Sequence, residues 1–211
     1  NSEIYAEAQT RAGQQFLRAW LDASSVPPDQ RPPQQNLDSM LASAQKHLRN
    51  GISRTEKSTP ETVEAPELLV AAKVSLAQIL NNSGKYQQTI DLLVKSPHSV
   101  ITAISVADET TRPESGVKRR EFASLAAQLL LRAQIGLRKL NEATAAMELL
   151  EKIAGAAKGE AVTELYRQLG DELKQELDRL SASGQRQRVN EVLGAFEEFL
   201  ERLRQRADQT F

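Results

Sequence analysis

Cysteine is absent from the 211 residues. Disulfides, thiolate metal sites and thiol nucleophiles are therefore excluded, while the compartment stays open. Histidine is nearly absent: His47 and His98 are the only two, so a histidine-built metal site has little to draw on. Aromatics make up only 4%, and residues that favour strands are scarce. No run of about 18 apolar residues occurs, so no membrane insertion is expected; Leu129-Leu130-Leu131, among the longest apolar stretches, is flanked by Gln and Arg. Neither charge dominates. Lys and Arg number 27 against 28 Asp and Glu, a formal net charge of -1, and nothing global draws such a chain to nucleic acid or anionic lipid. The start, Asn-Ser-Glu, has no Met, no basic segment and no apolar segment. No signal peptide is visible there, and the missing Met suggests a processed chain or a fragment.

Catalytic patterns are missing too. The ten glycines are isolated and form no phosphate-cradling loop, and neither Gly-x-Ser-x-Gly nor His-Glu-x-x-His occurs. His47 falls on the apolar face of a helical stretch, the setting of a core or interface histidine. His98 has Ser96 and Ser99 beside it, yet a Ser-His pair also needs an orienting group and an oxyanion pocket, for which the sequence offers nothing. Adjacent carboxylates such as Asp171-Glu172 and Glu197-Glu198 diverge by about 100° on a helix and read as a solvated face. The basic clusters, Lys118-Arg119-Arg120 and the arginines from Arg179 to Arg206, lack an aromatic platform for bases. The expectation is no enzyme, no cofactor, no metal and no nucleic-acid partner.

What is present is helix-forming composition: 27 Ala, 27 Leu and 18 Gln. Apolar residues recur at helical spacing from Ser2 to about Ala23, where Ile4, Tyr5, Ala8, Ala12, Phe16 and Trp20 mark one helix. Residues 24–35 hold four of the eight prolines and read as a loop. A second helix is expected over Leu37–Arg54 with Asn36 as its N-cap. A third runs from Pro66, placed as a first-turn proline, to the stop at Asn82-Ser83-Gly84. A short fourth follows over Tyr86–Lys95. Residues Pro97–Arg120 read as a short helix or strand and then a loop. Strong helices follow at Val117–Arg138 and Asn141–Ile153. After a break at Gly155–Gly159, two long helices carry the stripes Val162, Leu165, Leu169, Leu173, Leu177, Leu180 and Val189, Val192, Phe196, Phe199, Leu203. Each has about 22 residues and spans about 33 Å, enough to project beyond a compact body or to brace it. The chain divides into an N-terminal helical pair (1–55) and a hairpin array (56–211), read as one continuous domain.

Three segments share the shape helix, short turn, helix. Ala77–Tyr86 carries Ile79-Leu80, the Gly84 turn and Tyr86, followed by Thr89-Ile90 and Leu93. Leu130-Leu131, Ala143 and Met147 fill equivalent places in a second unit, and Tyr166-Arg167-Gln168-Leu169-Gly170 followed by Leu173 in a third. In these residues the chain resembles the tetratricopeptide-repeat family over about Ala65–Arg206. It departs from that family in its unit offsets of 54 and 39 residues instead of 34, and no unit holds every consensus residue. The resemblance implies an all-α fold. Antiparallel helical hairpins would stack as a right-handed solenoid of about eight helices ending in a long C-terminal hairpin; a plain antiparallel bundle is the other reading. It also implies a concave groove for a protein or peptide, lined by Gln78, Asn81 and Asn82, by Gln128 and Arg132, and by Arg167, Asp171 and Lys174. Amides there can bind a peptide backbone and Arg can grip a carboxylate. The family's clamp for C-terminal carboxylates is not expected, because Val74 and Gln78 stand where its Lys and Asn should be. A structural, self-associating role through the C-terminal hairpin with its Phe196-Phe199 seam is the alternative.

Overall fold

A computed structural model describes residues 2–95, 98–154 and 184–208, with positions 167, 170, 171, 173, 174, 177, 178 and 180–182 between them. The fold is all-α, and no strand occurs among the described residues. The helices are α1 (Ser2–Ser25), α2 (Gln34–Ser58), α3 (Glu67–Asn82), α4 (Tyr86–Ile90), which runs into a π turn at Asp91–Lys95, α5 (Val100–Ile104), α6 (Arg120–Gly136), α7 (Leu140–Ala154) and α8 (Arg186–Asp208). The described positions 167–182 are helical as well. The stripe residues Val162, Leu165 and Leu169, the break at 155–159, and Tyr166 and Gln168 of the third repeat match lie outside the described residues.

Several boundaries move for identifiable reasons. α2 begins earlier than expected, because Pro33 takes the N-cap place and its carbonyl accepts the amides of Asn36 and Leu37 at 2.9 and 3.3 Å; Asn36 is thus inside the first turn. Pro66 likewise sits at the cap of α3, one place before the first helical residue. The ambiguous segment after 97 is helical over Val100–Ile104, where the Ser99 hydroxyl accepts the Thr102 amide. Beyond it, Arg112 organises the loop. Its guanidinium bonds both oxygens of Glu109 (2.7 and 2.8 Å) and the carbonyls of Ile104 (2.9 Å) and Lys118 (2.6 Å).

α1 and α2 form a close antiparallel hairpin. Ala6, Thr10, Leu17 and Trp20 of α1 are buried at a three-four spacing that Gly13 completes, and the small members let the backbones approach. A Cβ on Gly13 would meet Leu48 Cγ at 2.6 Å, and one on Gly51 would meet Thr10. α3 is the shared wall of the molecule. Leu69, Ala72, Leu76, Ile79 and Leu80 face a cluster with Leu17, Trp20, Leu37, Ala44, Leu48 and Ile52. Val70, Val74 and Ala77 face a second cluster built from α4, α5, α6, α7 and α8. Each fully buried Leu contributes about 1.5–3 kcal/mol, so a helix buried on two sides fastens both halves of the chain to each other.

Helices pack in chain order: α1 on α2, α2 on α3, α3 on α4, α3 and α4 on α6, α6 on α7. Three hairpin turns close in the same way. At the first, the amides of Gly84 and Lys85 bond the carbonyls of Asn81 (2.9 Å) and Leu80 (2.8 Å). At the second, Arg138 and Lys139 bond Ile135 (2.8 Å) and Gln134 (2.9 Å); at the third, Gly184 and Gln185 bond Ser181 (3.0 Å) and Leu180 (2.9 Å). This is the Schellman closure, with a left-handed residue just past the helix: φ is 67° at Gly84, 55° at Arg138 and 70° at Gly184. α8 then braces the body. Ala195 and Phe199 are buried in the second cluster, and α8 rests on both α6 and α7. Its Arg188 guanidinium lies against Gly84, two turns back along the chain, a contact that hairpins touching only their neighbours would not make.

Candidate functional site

The sequence places the site on the first helices of the hairpins. α3 buries most of its surface and keeps one half-exposed stripe at spacing three and four: Leu68, Ala71, Ser75, Gln78 and Asn82. Gln78 and Asn82 therefore reach solvent. Asn81 does not. One residue corresponds to a rotation of about 100° on a helix, which turns Asn81 into the contact with α6, where its Nδ2 donates to the Leu129 carbonyl at 2.8 Å. It is fully buried, and its Oδ1 meets no donor among the described residues. That bond sets α3 and α6 side by side and fixes their relative height.

On α6, Arg132 is half-exposed while Gln128 keeps only 8% of its surface. Leu131 and Ile135 on the same helix are buried too. Of the third set, Arg167, Asp171 and Lys174 are exposed. Arg167 bonds Asp171 at 2.7 Å one helical turn on, an exposed pair worth no more than about 1 kcal/mol and open to competition from a ligand carboxylate. The structure thus unites Gln78 and Asn82 on one stripe, turns Asn81 inward, and leaves Gln128 close to buried.

Elsewhere the polar groups have structural occupations. His47 stacks on Phe16 with ring centres 5.6 Å apart, and its Nδ1 meets Gln9 Oε1 at 2.8 Å, which joins α1 to α2. His98 has a left-handed backbone, φ 55°. Its Nε2 lies 3.4 Å from the Thr59 carbonyl, and its own carbonyl accepts from Lys73 Nζ. Ser99 caps α5 and donates to the Leu93 carbonyl; Ser96 lies outside the described residues. Among the described residues no group of three or more His, Asp or Glu could hold a metal, and no helix is long and apolar enough to cross a membrane. Carboxyls held below their ordinary range lie at the surface. Glu64 is held by the hydrogen bond and charge of Lys118, Asp108 by the backbone amide and hydroxyl of Thr110, and Glu201 chiefly by hydrogen bonds from Arg204 and Gln205.

Two features were passed over in the sequence. Lys73 is fully buried, with Nζ 2.7 Å from Glu56 Oε1; its signal was a lone charge inside the apolar run from Leu68 to Leu76. The other is a cleft of about 480 Å³ between α2 and α4, floored by Leu76 and Leu80 of α3. No residue pattern marks a hollow made by three helices. No family model, no curated protein and no solved structure matches the chain.

Proposed function

We propose that the chain is a non-catalytic interaction scaffold in which tetratricopeptide-like hairpins stack and offer the stripes of their first helices as a groove for a protein or peptide. The observation that carries this reading is the repeated Schellman closure at 80–85, 134–139 and 180–185. Equivalent turns, each followed at once by a second helix, are what successive copies of one supersecondary unit produce. The half-exposed stripe of α3, with Gln78 and Asn82, runs beside α6, which carries Arg132. Amides offer donor and acceptor together, as a peptide backbone requires, and a guanidinium adds a fork for a carboxylate.

The test is affinity capture from extract by the full chain and by the variant Gln78→Ala/Asn82→Ala/Arg132→Ala/Arg167→Ala. Asn81 is left intact because its loss would disturb the α3–α6 contact. The scaffold reading expects specific partners to vanish with the variant while its circular dichroism and melting stay unchanged. Undiminished recovery would sink groove binding.

A self-assembly role is the second reading, favoured by the exposed Ile4, Tyr5, Phe16 and Leu21 of α1 and Leu193 and Leu200 of α8. The Phe196-Phe199 seam is a poor candidate for it, because Phe199 is buried in the chain's own core. Sedimentation velocity over a wide concentration range decides, and a strict monomer removes this reading.

A further inference from the structure

The cleft between α2 and α4 lies apart from the stripe just described, and we propose that it is a second docking surface, fitted to an acidic amphipathic helix. Its floor is apolar: Leu76 and Leu80 of α3, already buried in the chain's own core, lie beneath the half-exposed Leu92, which presents the apolar surface. Its rim is basic. Arg49 stands on the α2 side and Lys95 on the α4 side. Among the described residues that line it there is one carboxylate, Asp91, engaged by Gln87 Nε2 at 2.9 Å and by Lys95 at 3.4 Å. Arg49 gives one N–H to Gln88 Oε1 at 3.1 Å, and a guanidinium has five.

The positive strip continues along α2. A second, polar hollow follows within the next turns, lined by Asn50, Ser53, Arg54 and Lys57, and Lys46 is exposed one turn before Asn50. Glu56, beside these cations, has its carboxylate on Lys73. At the cleft two cations, Arg49 and Lys95, face the one carboxylate, and Lys46, Lys57 and Arg54, the last stacked over the Tyr5 ring, lie farther along α2. On a chain of net charge -1 this local positive excess selects an acidic partner by complementarity. The apolar surface that Leu92 presents beside the rim decides between partner classes. An amphipathic helix presents apolar side chains at i, i+3 and i+4 flanked by carboxylates, which covers Leu92 and pairs with the rim together. A phosphate backbone would satisfy the rim and leave Leu92 uncovered. The π turn at Asp91–Lys95 supports the assignment from the backbone, since such wide turns occur frequently at functional sites.

The probe is a display library of peptides about four helical turns long, panned on the full chain. Enriched sequences are expected to combine Glu or Asp with Leu, Ile or Phe at helical spacing. They should bind Arg49→Glu/Lys95→Glu about tenfold or more weakly and bind Arg11→Glu/Lys152→Glu, which carries the same charge change elsewhere, as tightly as the parent. A single-stranded oligonucleotide is assayed alongside. Absent enrichment, enriched peptides without acidic residues, or equal binding to Arg49→Glu/Lys95→Glu overturns the proposal. Oligonucleotide binding that this variant abolishes, without peptide enrichment, overturns it in favour of phosphate recognition. Gln78, Asn82 and Arg132 play no part in these outcomes, so failure here leaves the first groove standing, and the reverse holds.

Discussion

Lys73 Nζ, with no exposed surface, sits 2.7 Å from Glu56 Oε1, whose side chain keeps 25% of its exposure. The pair joins the last turn of α2 to the middle of α3, and the His98 carbonyl adds a second acceptor at 3.1 Å. The asymmetry in burial sets the energetics. A buried cation deprived of its carboxylate cannot be rehydrated, whereas Glu56 left alone can turn to water. Glu56→Gln is expected to cost about 3 kcal/mol and Lys73→Met about 1 kcal/mol, the long apolar stem being conserved. Urea denaturation of both variants measures this, and the reverse order would contradict it.

The glycines of the first hairpin should respond oppositely to one outside any contact. Gly13→Ala drives a Cβ to 2.9 Å from the Leu48 amide nitrogen, and Gly51→Ala to 3.1 Å from that of Thr10. Backbone cannot yield as a side chain does, so each variant is expected to lose about 1–3 kcal/mol despite the better helix propensity of Ala. Gly170 is helical and exposed with nothing within 4 Å of an added Cβ, so Gly170→Ala is expected to gain up to about 1 kcal/mol. Thermal melts of the three single variants provide the comparison.

Arg138 occupies the left-handed place that Gly84 and Gly184 fill in the other turns. A side chain there costs about 1–2 kcal/mol, and its pairing with Glu198, 3.7 Å away and exposed, returns little. Arg138→Gly should therefore raise the melting temperature. Gly84→Ala should lower it, both for the backbone and because the added methyl displaces the Arg188 guanidinium. A lower melting temperature for Arg138→Gly would show that the arginine's contacts outweigh its strain.

Acid should weaken one link between loops. Lys118 Nζ bonds Glu64 Oε1 at 2.8 Å and holds that carboxyl below its ordinary range. A depressed folded-state pKa means that the contribution is present above the ordinary carboxyl range and is lost as pH falls through the depressed value. Carboxyl NMR titration is expected to show Glu64 titrating low and returning to its usual midpoint in Lys118→Met. A Glu64 midpoint indifferent to that substitution contradicts the assignment.

The helices were legible because their apolar spacing is strong, and Gly84 announced its turn because glycine is the usual left-handed residue. The second turn carried no such mark, since Arg138 takes the same conformation without being glycine. Asn81 and Asn82 show how fine the site reading is: both looked suited to a groove, and one step of helical rotation buries the first against Leu129. The π turn at 91–95 and the arginine-centred loop around Arg112 depend on contacts distant in sequence, which no local pattern encodes. Lys73 was visible as a charge in an apolar run, but its partner Glu56 could be identified only once α2 and α3 were packed.

The scaffold account rests on three hairpins closed by one kind of turn, and native-state hydrogen exchange tests that most directly. The amides of Lys85, Lys139 and Gln185 donate to Leu80, Gln134 and Leu180 across those turns, so all three should exchange far more slowly than unstructured amides. Exchange of any of the three at the unprotected rate would mean that the turns are not equivalent, and the repeated hairpin would fall with them.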